Sequence, residues 1–252
     1  MAVRADDPEI VAIPRPGFFN RLWGAVAVAL SVLYTVVLAF PAAAAAPFRD
    51  GHAVSHIGRL WAWMIIRTCG LRVEIEGLER LEGLGPCVMV ANHQSMFDIF
   101  AILAFFPGEP RFLAKKELLK VPLVGYAMRR SGHIMVDRQR GGNTIRRAIQ
   151  VSRLGYSICV FAEGTRFSDN RVHEFNDGAA WIAIATRRPC VPIAISGSAT
   201  IFPRGARVVA PGRRIRIRIG TPIETQGLRS EDRAALTRRL EDSVRAMFTT
   251  EL

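Results

Sequence analysis

Cysteine is scarce. The 252-residue chain has four, Cys69, Cys87, Cys159 and Cys190, each in an apolar run and none in a CxxC pair. That usage points to reduced core residues in a cytosolic environment rather than a disulfide framework. Other signatures are missing as well. There is no GxGxxG, no P-loop and no GxSxG nucleophile elbow, so dinucleotide, Walker-type phosphate and serine-hydrolase chemistry have no sequence support. His52 and His56 stand four apart without acidic or cysteine company, and no metal site is expected. Acids are outnumbered, 22 Asp+Glu against 34 Lys+Arg, a net charge of +12 that favours an anionic partner such as nucleic acid, anionic lipid or a phosphorylated substrate. The aromatics sit in apolar runs rather than among arginines, which disfavours nucleic acid.

What is plentiful is hydrophobicity, at 50% of residues. No charge occurs from Leu22 to Phe48. As a helix, Leu22 to Phe40 would measure about 28 Å, close to a bilayer core. The run exceeds the roughly 7 to 15 apolar residues of a signal peptide, despite alanines at 42–46. A simple span and a hairpin dipping into one leaflet both remain. Arg4, Arg15 and Arg21 before the run are matched by Arg49, Arg59 and Arg67 after it, so charge gives no orientation. Residues 52 to 69 form a second apolar stretch with Trp61 and Trp63, readable as an interfacial helix or as one packed on the globular domain. The expected organisation is a tail over 1–20, a membrane-associated two-helix segment over 21–70 and an α/β domain over 71–252.

From Leu71 onward, short apolar runs alternate with longer amphipathic ones. Strands are expected at 71–76, 87–91, 111–114, 133–136, 157–161, 190–196 and 214–219. Helices are expected at 94–106, 117–130, 141–155, 178–186 and 230–248. That alternation predicts a mostly parallel central sheet with helices on both faces.

Residues with chemistry cluster where these strands should end, the usual ligand position in open α/β sheets. Cys87 to Ala91 is followed by Asn92, His93 and, five residues after the histidine, Asp98. On one regular helix His93 and Asp98 would point about 140° apart. They meet if His93 lies in the preceding turn and Asp98 reaches back, so that the carboxylate fixes one imidazole nitrogen and frees the other as a general base. A His-x4-Asp pair arises by chance in roughly one such sequence in four, so its place after a buried strand matters. Lys116 follows the third strand and Arg138 the fourth, both suited to an anion. After the fifth come Glu163, Gly164, Thr165 and Arg166: a carboxylate for alcohol groups, a glycine for close approach and a guanidinium for an anionic group. Val191-Pro192-Ile193 opens a strand and by itself suggests an edge.

These blocks, in this order over residues 90 to 195, resemble the glycerolipid acyltransferase superfamily, and within it the lysophosphatidic acid acyltransferases. Asn92 to Asp98 is similar to NHxxxxD. Lys116-Glu117-Leu118, Pro122, Gly125 and Gly132 to Arg138 are similar to the second block, Phe161 to Arg166 to FPEGTR, and Val191-Pro192-Ile193 to the proline block. The resemblance implies transfer of a fatty acyl group from a thioester of coenzyme A or acyl carrier protein, as co-substrate and with no cofactor. The acceptor would be the 2-hydroxyl of lysophosphatidic acid and the product phosphatidic acid. His93 and Asp98 would be catalytic. Arg138, Arg166 and Lys116 would hold the phosphate, and Glu163, Gly164 and Thr165 would shape the glycerol site. The implied location is a bacterial inner membrane, with the site facing the cytoplasm and an anionic leaflet as partner. Arg214, Arg216 and Arg218, alternating along one strand, are a candidate part of that lipid-facing surface. Two departures stand out. Ala162 replaces a proline, and Asn176-Asp177 replaces a lysine pair, which opens the alternative of another lysolipid acceptor.

Overall fold

The computed structural model describes residues 17–46, 52–121, 123–136, 141–203 and 206–251. All seven expected strands form: β1 (Arg72–Glu76), β2 (Val88–Ala91), β3 (Arg111–Lys115), β4 (Ile134–Val136), β5 (Ile158–Phe161), β6 (Cys190–Ser196) and β7 (Arg214–Ile219). They make one sheet in the order β1-β7-β6-β2-β5-β3-β4. Five strands run one way. β7 is antiparallel to β6, and β1 is parallel to β7, so those two run the other way.

The period-two alternation of strands divides two cores. Met89 and Ala91 of β2, Cys159 of β5, and Val191, Ile193 and Ile195 of β6 face one side. That side is covered by α3 (Met96–Phe105) and α2 (His52–Thr68), with α1 (Phe18–Ala45) beyond. Val88, Val90, Ile158, Val160 and Ala194 face the other, under α5 (Gly141–Arg153), α6 (Gly178–Thr186) and α7 (Arg233–Met247). Two-sided burial is why the central strands read as unbroken apolar runs.

β7 reads differently because only one face is buried. Ile215, Ile217 and Ile219 enter the core, and the alternate arginines meet acids on β1. Arg214 pairs with Glu74 at 3.1 Å, Arg216 with Glu74 at 3.1 Å and Arg218 with Glu76 at 2.9 Å. This cross-strand ladder accounts for the alternation.

The expected edge strand at Pro192 lies in the interior instead, since β6 sits between β7 and β2. Along a strand, a residue's N–H and C=O point to the same side. The Pro192 carbonyl accepts from Gly220 N at 2.8 Å, so its missing donor faces the place where β7 ends and leaves the ladder to β2 intact.

The expected helix over 117–130 is split. Lys116–Lys120 is a tight 3-10 turn and α4 spans Val124–Arg130, with Leu123 between them at φ 59°. Gly125 lies so close to the Leu119 backbone that any side chain would collide with it.

The N-terminal helices differ in kind. α1 carries no charge after Arg21 in its first turn and leaves Phe18, Phe19, Leu22, Val32, Leu33, Val36, Val37 and Phe40 exposed, as an anchor requires. Its expected end at Phe40 is passed, because Pro41 is accommodated inside the helix. α2 fits the expected two-helix anchor only in part. Val54, Ala62, Ile65 and Ile66 are buried, the two isoleucines in the core shared with α3 and the sheet, whereas Leu60 and Trp63 are exposed. Polar groups lock the two helices together: Trp61 Nε1 donates to Thr35 Oγ1 at 2.9 Å and Trp23 Nε1 to the Thr68 carbonyl at 3.1 Å. The buried Arg111 fastens α2 to the sheet, donating to Ser55 Oγ at 2.8 Å and Glu109 at 3.0 Å while its guanidinium covers the Tyr156 ring.

Candidate active site

β2 ends at Ala91, and the fully buried Asn92 takes over the pairing that the strand gives up. Its Nδ2 donates to the Ile195 carbonyl at 2.8 Å, and its Oδ1 accepts the Ile195 amide at 2.7 Å. An amide side chain thus mimics one more residue of backbone ladder, and the turn that follows is anchored to β6.

Ser95 is the N-cap of α3, and Asp98 is the third residue of the helix, reaching back in a capping box. Asp98 Oδ2 accepts the amides of Gln94 at 2.7 Å and Ser95 at 2.8 Å, and lies 2.8 Å from His93 Nδ1. The five-residue spacing therefore has a local cause. His93 sits two residues before the cap, and the acid that closes the cap also meets the imidazole. Asp98 is fully buried, and the His93 side chain is 12% exposed. The carboxylate fixes Nδ1 as the protonated nitrogen and leaves Nε2 as the nitrogen that Asp98 does not engage.

The segment after β5 wraps this turn. Phe161 stacks on the His93 ring, with centroids 4.0 Å apart and planes 17° apart. Glu163 Oε2 accepts the His93 amide at 3.2 Å, and its Oε1 accepts the His173 amide at 3.1 Å. Phe167 N donates to the His93 carbonyl at 3.0 Å, and Ser168 Oγ to the Gln94 carbonyl at 3.2 Å. Burial pushes the Glu163 carboxyl up to about 8, with Asp98 and Asp169 adding to the rise and the two amides opposing it.

Gly164 occupies the left-handed region at φ 71°, and a Cβ there would crowd Asn176 Nδ2. Thr165 and Arg166 follow, half-buried, in the same turn. Lys116 is exposed just past β3, at the sheet edge that β2 and β5 also point to. Arg138 lies outside the described residues, as does Pro122. The structure thus brings His93, Asp98 and Glu163 together and places Gly164, Thr165 and Arg166 in the adjoining turn.

Both residues of the departure from the lysine pair are engaged locally. Asn176 donates through its backbone and its Nδ2 to the Ala162 carbonyl, at 2.9 and 3.1 Å, bracing the Glu-Gly-Thr-Arg turn. Asp177 is the N-cap of α6 and faces Arg233 of α7 at 3.7 Å. Neither residue puts a carboxylate beside His93. The bracing roles of Asn92 and Phe161 had no local signal, since each depends on a segment about 70 to 100 residues away.

Comparison with known proteins agrees with this geometry. The acyltransferase family model matches residues 72–196. The 1-acyl-sn-glycerol-3-phosphate acyltransferase alpha of Ovis aries is 32% identical over 223 residues, covering 86% of this chain and 76% of the relative. The Homo sapiens protein of the same name is 31% identical, covering 86% and 77%. Among solved structures, the 1-acyl-sn-glycerophosphate (LPA) acyltransferase PlsC from Thermotoga maritima superposes with a TM-score of 0.72 at 27% identity, over 90% of this chain and 92% of that one. The chain belongs to the 1-acyl-sn-glycerol-3-phosphate acyltransferase family.

Proposed function

We propose that this protein moves a fatty acyl group from an acyl thioester to the 2-hydroxyl of 1-acyl-sn-glycerol-3-phosphate, producing phosphatidic acid. The observation that carries the reading is the His93–Asp98 pair, held at 2.8 Å where β2 gives way to α3. His93 Nε2 takes the proton of the acceptor hydroxyl, and the hydroxyl oxygen bonds to the thioester carbonyl carbon. The tetrahedral oxyanion collapses, the carbon–sulfur bond breaks, and the thiolate recovers the proton from the imidazolium. Asp98 holds the Nδ1 proton and balances the imidazolium charge throughout. The attack is direct and needs no covalent enzyme intermediate.

Arg166, with Lys116 and Arg138, holds the acceptor phosphate in this reading, and Gly164 and Thr165 shape the glycerol site. The donor is acyl-coenzyme A or acyl carrier protein, a co-substrate, and no cofactor or metal takes part. Asn176 and Asp177 are engaged in local structure, and the relatives named 1-acyl-sn-glycerol-3-phosphate acyltransferase favour this acceptor over another lysolipid.

Such an acceptor lives in a bilayer, and we place α1 in one leaflet of an anionic membrane, facing the cytoplasm of a bacterial cell. Two contacts support a dipping helix over a crossing one. Near its start, Gly24 packs on the Val208–Val209 loop and Ala27 enters the main core, and near its end Ala42 and Ala46 pack with Val54 and Ala127. A helix with both ends against the catalytic domain stays on one side of the membrane.

The test is acceptor-dependent thiol release by detergent-solubilised protein, with 1-acyl-sn-glycerol-3-phosphate and either acyl-coenzyme A or acyl carrier protein as donor. His93→Ala is expected to lower the rate by about 10²–10⁴-fold. Wild-type protein inert with both donors would overturn the reading.

A further inference from the structure

Glu163 opens the Glu-Gly-Thr-Arg turn, the stretch expected to meet the acceptor, yet its carboxyl is turned inward. The residue is 5% exposed, and each carboxyl oxygen is taken by a backbone amide, one from His93 and one from His173. We infer that Glu163 is a positioning residue, which sets the backbone of His93 in place by bridging the two loops, and is not a ligand of the acceptor's glycerol.

His93 is held from four directions. Asp98 takes Nδ1, Phe161 lies under the ring, Glu163 takes the amide, and Phe167 donates to the carbonyl. Three of those four constraints come from the stretch Phe161–Phe167. Glu163 is the constraint that reaches further. Its second oxygen closes the loop back at His173, whose ring stacks on Phe167, the residue that also grips the His93 carbonyl. Gln94 ties into the same loop through Nε2 to the Arg171 carbonyl at 2.8 Å. The carboxyl therefore completes a ring of contacts around the base. Its role is geometric, and misplacement of a catalytic group by about 1 Å costs on the order of 10²-fold in rate. The near-neutral carboxyl is compatible with this role: at pH 7 it adds little charge to compete with Asp98 for the imidazolium.

A ligand and a positioning residue separate in kinetics. Glu163→Gln keeps the shape and stays uncharged, but offers one acceptor to two amides. The expected result is a fall in kcat of about 10- to 100-fold, with KM for the lysolipid and for the thioester within about threefold. In substrate-free protein the His93 imidazole ¹⁵N resonance is expected to shift, while circular dichroism shows an intact fold. A KM for the lysolipid raised tenfold or more, with kcat and the resonance unchanged, would make Glu163 a ligand and overturn the inference. Unchanged kinetics with an unchanged resonance would overturn it too. Should the glutamine variant not fold, Glu163→Asp, which keeps two oxygens but shortens the reach, is read by the same criteria. The kinetic arm rests on the acyl-transfer reading, whereas the resonance does not. Wild-type protein inert toward both donors would defeat that reading and still leave His93 to report on Glu163.

Discussion

Asp98 Oδ2 accepts from His93 Nδ1 and from the Gln94 and Ser95 amides at once, so one oxygen both caps α3 and orients the base. The other oxygen, Oδ1, is buried with no partner among the described residues. An asparagine can place its carbonyl where Oδ2 is and its amino group where Oδ1 is, keeping the cap and removing the charge while leaving that amino group without a partner. Asp98→Asn is therefore expected to fold normally by circular dichroism and to lose about 10²–10⁴-fold in kcat.

Asn92→Ala separates the scaffold from the chemistry. It removes the buried partners of both the Ile195 amide and the Ile195 carbonyl. Each orphaned group costs about 1–3 kcal/mol, so urea unfolding is expected to show a loss of about 2–6 kcal/mol. KM should hardly move in whatever fraction stays folded.

The strand positions were legible because buried strands are short apolar runs bounded by turn residues, and Cys87–Ala91 and Cys190–Ser196 are of that kind. The His93–Asp98 contact was legible because capping a helix and orienting a base are both local in sequence. Direction was not. The Arg/Ile alternation of β7 shows that one face is wet, but its reversal relative to β6 depends on the connection across 197–213. Nor was the inward turn of Glu163 legible, since one of its two amides belongs to the turn 70 residues upstream. α2 was ambiguous for a related reason: apolar residues that pack on α3 and apolar residues that face lipid are written in the same letters.

Burial of Glu163 gives stability a definite pH dependence. Its carboxyl is raised to about 8 in the folded state from an ordinary value near 4.5, so the folded protein holds a proton that the unfolded chain releases. That contribution is fully present below about pH 4.5 and is lost as pH rises through 8. Thermal unfolding midpoints of wild type and Glu163→Gln, compared from pH 5 to pH 9, are expected to shift in the variant's favour as pH rises. A constant difference would contradict the buried neutral carboxyl.

Arg166 and Asp177 should behave oppositely despite both lying near the turn. Arg166→Ala is expected to raise KM for the acceptor about tenfold or more, since a charge-assisted bond contributes about 1.5–3 kcal/mol. Asp177→Ala, which breaks a surface contact to Arg233, should leave that KM within about twofold. Initial-rate measurements against acceptor concentration decide both.

Gly24 tests the docking of α1. A side chain there would collide with the Val209 carbonyl and the Val208 side chain, and Gly24→Val is expected to cost about 1–3 kcal/mol of stability. Gly58→Ala on α2 meets nothing within 4 Å and should be neutral or slightly stabilising. Thermal unfolding in detergent distinguishes the two.

The mooring of α1 at both of its ends also bears on how the protein moves on lipid. The helix is about 42 Å long, and both its ends pack on the part of the chain that carries His93. With such a rod embedded along one leaflet, as proposed above, pitching would lift one end out of hydrocarbon and be strongly resisted. Rolling about its axis exposes far less apolar surface. The angle of roll then decides how deeply the catalytic turn dips toward the headgroups.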